Sequence, residues 1–458
     1  MGGFKLSEIK KHVMTGISFM IPIVVGAGLC MALGTAIGGT KVSEAEGTLI
    51  WYIWRTGKVG MGFVVPVITA AIAYSIADRP AIDPGLNKPI SMINLGPTPI
   101  DLVGYYRDIG LEAYMAHDYE EYNRILTCLQ VRKAVANTKI LILSNSEQTP
   151  ASVNTSCCDL VSLFTRYGIR HNRIDFRQVF NYFDEIPADE GIHQEARALM
   201  EGADKVDITE EYLCNDLRYF HAVRSMMERY DCNAFTTPCK ELCASRLPQK
   251  NKCVPCITHS LNKDDRIPSA CEEDLAVWMA MMMMMYLTRQ SVFMGNPVLV
   301  LAGSKTLEQL GMPKLLTQPG QVFDHDVLEI HHAVPVRRMR GFDQPEQSYE
   351  LAHFTTQGWG AHYHVDMAEE DGQVVTFGRF NRQGTKMMVA VGHTLGCEFR
   401  PVYCSPAVYY EVEGGAREFR QALAKGGYGH HQAIIYGNHV KELQELGEIV
   451  GFEVEVFH

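Results

Sequence analysis

The pattern of apolar and polar positions changes character near Asn87. Between His12 and Lys41 there is no charged side chain, and the run 14–39 is longer than the ~20 residues that carry a helix across a bilayer. A second uncharged run, 59–77, just reaches that length. Gly and Pro interrupt both runs, as they do in membrane helices, where neighbouring helices satisfy the freed backbone groups. Residues 1–87 are therefore expected to form a two-helix transmembrane hairpin, with membrane contact through residues 14–77. Lys5, Lys10 and Lys11 precede the first run, whereas the connecting loop mixes Lys41, Arg55 and Lys58 with Glu44 and Glu46. That bias places the N-terminus in the cytoplasm, and two spans return the chain there. The expected location is the cytoplasmic membrane with the soluble part facing the cytoplasm, or the cytoplasm itself if the N-terminal segment is an artefact.

Beyond the Pro84-Gly85 break the pattern is that of a soluble protein. Residues 89–95 read as a short strand, 119–138 as a helix, and 139–144 (KILILS) as a nearly continuous apolar strand suited to a parallel sheet covered on both faces. Helical patterns at 151–167, 192–202 and 210–230 alternate with strand-like pieces such as 233–236, which predicts an α/β lobe over 88–320. From about Leu328 the segments 349–355, 374–380 and 387–391 are strand-like, with Asp371-Gly372 as a hairpin turn. A strand-rich, β-barrel-like lobe is thus expected over 321–458. The segment 271–290 opens with Glu272, Glu273 and Asp274 and is otherwise apolar on all sides, so it is predicted to be a buried helix. Its methionines, Met279 and those at 281–285, read as flexible core packing rather than a metal box. Acids at the mouth of a buried helix either cap it or face a cavity, a cation or a partner.

Charge narrows the partners. Residues 1–87 hold seven Lys/Arg and five Asp/Glu, so the other 371 carry 35 against 48, a net −13. A nucleic-acid partner drawn by phosphate attraction is excluded on that balance. Thirteen cysteines without a secretory context point to a reducing compartment. Cys239, Cys243, Cys253 and Cys256 have spacings compatible with Zn²⁺ or an iron–sulfur cluster, but the short middle loop favours reduced thiols packed together. His362 and His364 alternate along a probable strand and share one face.

Two family resemblances follow from particular motifs. Residues 10–39 (KKHVMTGISFMIPIVVGAGLCMALGTAIGG) and 65–85 (VPVITAAIAYSIADRPAIDPG), with the signature IADRP-x3-PG, resemble the opening of the membrane IIC component of fructose-type phosphotransferase sugar transporters. The resemblance covers only about the first 86 residues, and the rest of such a transporter domain is not recognisable. From Lys88 to His458 the order of motifs resembles the L-fucose and L-arabinose isomerase superfamily: THSLNKDDRIPSA at 258–270, Cys271-Glu272-Glu273-Asp274, FMGNP at 293–297, EIHHAVP at 329–335, and GHHQ at 429–432.

That second resemblance implies a metal-dependent aldose–ketose isomerase with a divalent cofactor, Mn²⁺, a monosaccharide substrate and a homo-oligomeric state. It implies Glu272 as acid/base and metal ligand, Asn296 at the second acidic position as ligand and catalytic group, His431 as the late imidazole ligand, and His332 and His430 as substrate-binding residues. Asn296 departs from the pattern, because an amide oxygen can ligate a metal but cannot act as a base at neutral pH. Glu273, Asp274 and His325 are then candidate substitutes. Relatives also begin with a further α/β lobe in the place of the hairpin, so an incomplete, inactive isomerase is expected as well. The alternatives are a fragment of a fructose-transporter membrane component, or a fusion of two unrelated reading frames.

Overall fold

The computed structural model describes residues 6–62, 64, 89–93, 95–146, 150, 153–156, 159–305, 321–370, 372–400 and 404–458. The chain divides into two compact units, residues 1–125 and 126–458.

The first unit opens with α1 (Leu6–Gly38) and α2 (Leu49–Gly62), followed by β1 (Ile90–Ile93), α3 (Thr98–Asp108) and β2 (Ala113–Ala116). Small residues bring α1 and α2 together: a Cβ on Gly57 would lie 2.5 Å from the Ala27 carbonyl oxygen, and one on Gly34 would lie 2.6 Å from Trp54 Cβ. Within α1, Met20–Gly38 is long and apolar enough to cross a membrane, and it stands alone in this among the described residues. The expected two-helix transmembrane hairpin is corrected accordingly. α2, described as Leu49–Gly62, carries Arg55 and Lys58. Most of the expected span 59–77 lies outside the described residues. β1 and β2 pair in parallel, Ile90 opposite Ala113, and α4 (Tyr119–Ala136) leads into the second unit.

That unit contains a parallel four-stranded sheet and a closed antiparallel barrel. The sheet has the order β4-β3-β6-β7, formed by β3 (Lys139–Leu143), β4 (Arg170–Ile174), β6 (Ala234–Thr237) and β7 (Ser269–Cys271). Ile140, Leu141, Ile142 and Leu143 are all fully buried, as the unbroken apolar pattern of a two-sided strand requires. The helices between the strands are α5 (Leu160–Tyr167), α6 (Phe176–Glu185), α7 (Glu190–Glu201), α8 (Glu210–Arg229), α9 (Cys239–Ala244), α10 (Leu247–Asn251) and α11 (Cys256–Asp264). Asp159, Asp175, Asp189 and Thr209 cap four of them by accepting backbone N–H bonds, each cap contributing roughly 1 kcal/mol. The helix expected over 151–167 is confined to Leu160–Tyr167, because Asp159 is its cap. Ser156 instead serves the site described below.

α12 (Leu275–Thr288) is buried from Leu275 to Met285, so its methionines are core. It begins four residues later than its apolar pattern suggests, with Asp274 capping it from outside. The barrel follows from β8 (Phe293–Val300), β9 (Val327–His331), β12 (Val374–Phe380), β13 (Lys386–Glu398), β14 (Ala407–Val412) and β15 (Gln432–Tyr436). Six strands in the order β12-β15-β8-β9-β14-β13 return to β12, all antiparallel, and closure removes the exposed edges. β8 precedes residue 321, so the barrel draws on both sides of that position. A three-stranded sheet joins β5 (Lys205–Asp207), β10 (Glu350–His353) and β11 (Ala361–His364), and α13 (Ala416–Gly426), α14 (Val440–Val450) and β16 (Glu453–Val456) complete the chain. Asp371 lies outside the described residues, and the hairpin of β12 and β13 turns ten residues later. There Asn381 Oδ1 accepts the Thr385 and Lys386 N–H groups.

Candidate functional site

β7 ends at Cys271, and the chain then turns sharply before α12. Glu272 and Glu273 both adopt left-handed backbone angles, φ +64° and +52°, an unfavourable conformation for non-glycine residues that persists only where the surroundings impose it. Here they do: Glu273 N–H donates to the Thr237 carbonyl on β6, Ser156 Oγ donates to the Glu273 carbonyl at 2.8 Å, and Leu275 N–H donates to Ser156 Oγ at 2.8 Å. The turn sends Glu272 to one side and Glu273 to the other. The site therefore stands at the carboxyl end of a parallel sheet, where open α/β sheets hold their ligands.

Glu272 meets two imidazoles from the barrel. His332, just past β9, places Nε2 3.6 Å from Glu272 Oε1, and His431, just before β15, places Nε2 3.8 Å from the same oxygen. The ligating atoms of the three residues all lie within 4.8 Å of one another, and all three side chains are buried. Glu272 Oε2, His332 Nε2 and His431 Nε2 have no hydrogen-bond partner among the described residues. Lys240 Nζ lies 3.7 Å from Glu272 Oε2; the Glu272 carboxylate and the His431 imidazole are a donor pair that a divalent cation fits.

Beneath His431 runs a buried chain of charge. Asp274 Oδ2 accepts from His431 Nδ1 at 2.9 Å and from Arg379 Nη1 at 2.7 Å, while Asp274 Oδ1 accepts from Arg379 Nη2 at 3.2 Å. Arg379, on β12, also donates to the His431 carbonyl at 3.0 Å, to Thr155 Oγ1 at 2.9 Å and to the Tyr428 carbonyl. The bond to Asp274 fixes the proton of His431 on Nδ1 and leaves the Nε2 lone pair facing Glu272, the arrangement of a metal-binding histidine. His332 differs: its Nδ1 accepts the Ala333 N–H at 3.1 Å, so its own proton sits on Nε2 and it presents a donor.

The electrostatics agree. Burial pushes the Glu272 and Asp274 carboxyls up, but the imidazoles and, for Asp274, first of all the Arg379 charge outweigh it and hold both well below the usual range. Burial drives His332 down to about 4 despite Glu272. Burial also opposes charge on His431, yet Asp274 and Glu272 raise it. The pocket thus attracts positive charge, a proton or a cation.

The remaining expected residues are distributed around this point. Asn296 lies on β8 opposite His331 in register, its Nδ2 donating to the His331 carbonyl at 3.4 Å. His430 lies beside His431, ring centres 4.1 Å apart and the planes tilted by 40°. It lines a cleft of about 330 Å³ with Asn154, Thr155, Pro297, Arg420 and Gly429. Glu273 is committed to Arg173 at 2.7 Å, and His325 is a half-exposed residue bonded to Asp324. Asp274 is the cap and support just described. Cys239, Cys243, Cys253 and Cys256 are all free, without forming a metal-ligating group among the described residues. Sequence reasoning missed Arg379 and Ser156, whose partners are remote in the chain.

His362 and His364, on β11, are buried with their Nε2 atoms 3.1 Å apart. Burial pushes His364 down to about 4, and holds His362 well below its ordinary value too. An unfolded histidine titrates near 6.5, so between pH 6.5 and 4 the unfolded chain binds more protons than the folded one. Stability is present in full above pH 6.5 and falls as pH drops through that window, by about 3 kcal/mol for His364. Denaturation curves across this range should show the slope in the native protein and a shallower one in His364→Asn; identical slopes would count against the assignment.

No family model matches the chain. An 85-residue segment is 42% identical to the PTS system fructose-specific EIIC component of Haloferax volcanii, covering 18% of this chain and 23% of that protein. The PTS system fructose-specific EIIB'BC components of Xanthomonas campestris and Escherichia coli are 48% identical over 75 residues and 46% over 74, in each case 16% of this chain and 13% of the relative. The chain spans less than a quarter of the length of these relatives. None of the three is an isomerase. A short segment of this chain is thus similar to fructose-type phosphotransferase membrane components, and together with the apolar helix α1 it points to membrane association.

Proposed function

We propose that the second unit is a metal-assisted enzyme of sugar chemistry, an aldose–ketose isomerase in class. The observation that carries this reading is the convergence of buried Glu272, His332 and His431, with both imidazole Nε2 atoms within 3.8 Å of Glu272 Oε1. Moving a hydrogen between adjacent sugar carbons requires a base beside the carbon and polarisation of the neighbouring oxygens. Glu272, held ionised, is the base. Glu272 and His431 would hold the cation, Mn²⁺ by the donor set, which when bound polarises the substrate oxygens. His332 donates its Nε2 proton to a sugar oxygen, and Asp274 keeps His431 in the tautomer that exposes its lone pair. Asn296 contributes no base, so proton transfer falls to Glu272. The adjacent cleft, with His430, Asn154, Thr155 and Arg420, is of a size with small-ligand pockets.

The test is solvent exchange. The purified full chain, supplied with Mn²⁺ in D₂O and a panel of five- and six-carbon aldoses, should incorporate deuterium at the carbon beside the carbonyl, visible by NMR, only when metal is present. Failure with every sugar would overturn the reading.

The 85-residue match favours a second reading for the N-terminal part: a membrane segment of a fructose-type sugar transport system, with the second unit on the cytoplasmic face. It rests on sequence identity, which the enzymatic reading lacks. Sugar uptake by vesicles carrying the chain supports it, and absence of both uptake and membrane association of the full chain refutes it.

A further inference from the structure

A second group of convergent donors joins α7 to α8, and none of its members belongs to the Glu272 site. Glu210 and Cys214 are four apart on α8 and so share a face, while His193 reaches across from α7. His193 Nδ1 is 2.6 Å from Glu210 Oε1 and 3.6 Å from Cys214 Sγ, and all three donor atoms lie within 4.8 Å of one another. We infer that His193, Glu210 and Cys214 form a zinc site that staples these two helices, with solvent completing the shell.

The distances carry the inference. Zinc bonds of about 2.0–2.1 Å to nitrogen and 2.3 Å to sulfur at a tetrahedral angle put those atoms about 3.5 Å apart, and the observed separation is 3.6 Å. The carboxylate must withdraw from the ring by several tenths of an ångström to complete the geometry, a movement two side chains each about one-third exposed accommodate. Cys214 is a free thiol, 2% exposed, so the sulfur is shielded while His193 and Glu210 face solvent and give the ion an entry path. Arg197 Nη1 holds the same Glu210 oxygen at 3.0 Å and also reaches Glu190. It acts as the carboxylate's outer partner and, being a cation, moderates the affinity. On binding, the thiol releases its proton to solvent and the thiolate takes the metal.

This site differs from the Glu272 group in containing sulfur, and that difference provides the test. Cobalt(II) titrated into the purified full chain should produce near-ultraviolet thiolate-to-cobalt charge-transfer absorption at one equivalent, displaced by Zn²⁺. Cys214→Ser should abolish the band. His193→Gln, a change at a one-third-exposed position that leaves the core untouched, should weaken cobalt binding at least about tenfold, since even outer partners of a metal ligand cost 10–100-fold. No band in the native chain, or a band that survives both substitutions, would overturn the site. Glu272→Gln should leave the band unchanged, so this result stands or falls separately from the proposed enzymatic function.

Discussion

Replacing Arg379 with alanine is expected to destabilise the second unit by about 3–5 kcal/mol, because it strips a fully buried carboxylate of its counter-charge. Arg379 and Asp274 are each 0% exposed. The guanidinium takes both Asp274 oxygens and three further acceptors from Thr155, Tyr428 and His431. Lysine keeps the charge but not the planar fork, so Arg379→Lys should recover only part of the loss. Removing Asp274 together with Arg379 should cost clearly less than the two single changes added, since neither charge is then left alone. Chemical denaturation of the full chain, following the transition of this unit, gives all four values. A loss below about 1 kcal/mol for Arg379→Ala would mean that water or another cation reaches Asp274, contrary to its burial.

The largest functional effect is expected from Glu272→Gln, which should weaken Mn²⁺ binding by more than about 100-fold, while Asp274→Asn should cost about 10–100-fold. The two changes separate ligand from support. Glutamine matches glutamate in shape but brings no charge to a pocket whose remaining side chains are imidazoles, whereas asparagine at 274 leaves both metal-binding side chains in place and removes the negative charge that orients His431. Free Mn²⁺ measured by electron paramagnetic resonance during titration reports both. Equal affinity in the native chain and in Glu272→Gln would show that Glu272 does not ligate the metal, and an unaffected Asp274→Asn would show that His431 holds its tautomer without help.

Some of this site was legible in the residues themselves. Glu272, His332 and His431 were singled out from motif order, and the structure brings their side chains together from a sheet end and two barrel strands. The support beneath them was not legible. Asp274 and Arg379 are 105 residues apart, and Asp274 and His431 157 apart, with no periodicity linking them. Arg379 reads in the sequence as an ordinary charge within a strand pattern, and only barrel closure shows that it points inward at 0% exposure. The pair His193 and Cys214 was invisible for the same reason: its geometry belongs to the packing of two helices.

By itself the sequence determined the elements whose causes are local. The uncharged run that becomes α1, the apolar strand 139–143 and the all-round apolar helix of methionines follow from burial over a few residues, which a short window contains. Tertiary structure alone decided what depends on remote partners. It set where α12 begins, since Ser156 and Thr237 pin the left-handed turn at Glu272 and Glu273. It decided how six strands close into a barrel, and which carboxylate meets two imidazoles and which meet an arginine. Those outcomes depend on contacts between segments brought together only by the collapse of the whole unit, and an isolated stretch of chain has no energy term that distinguishes them.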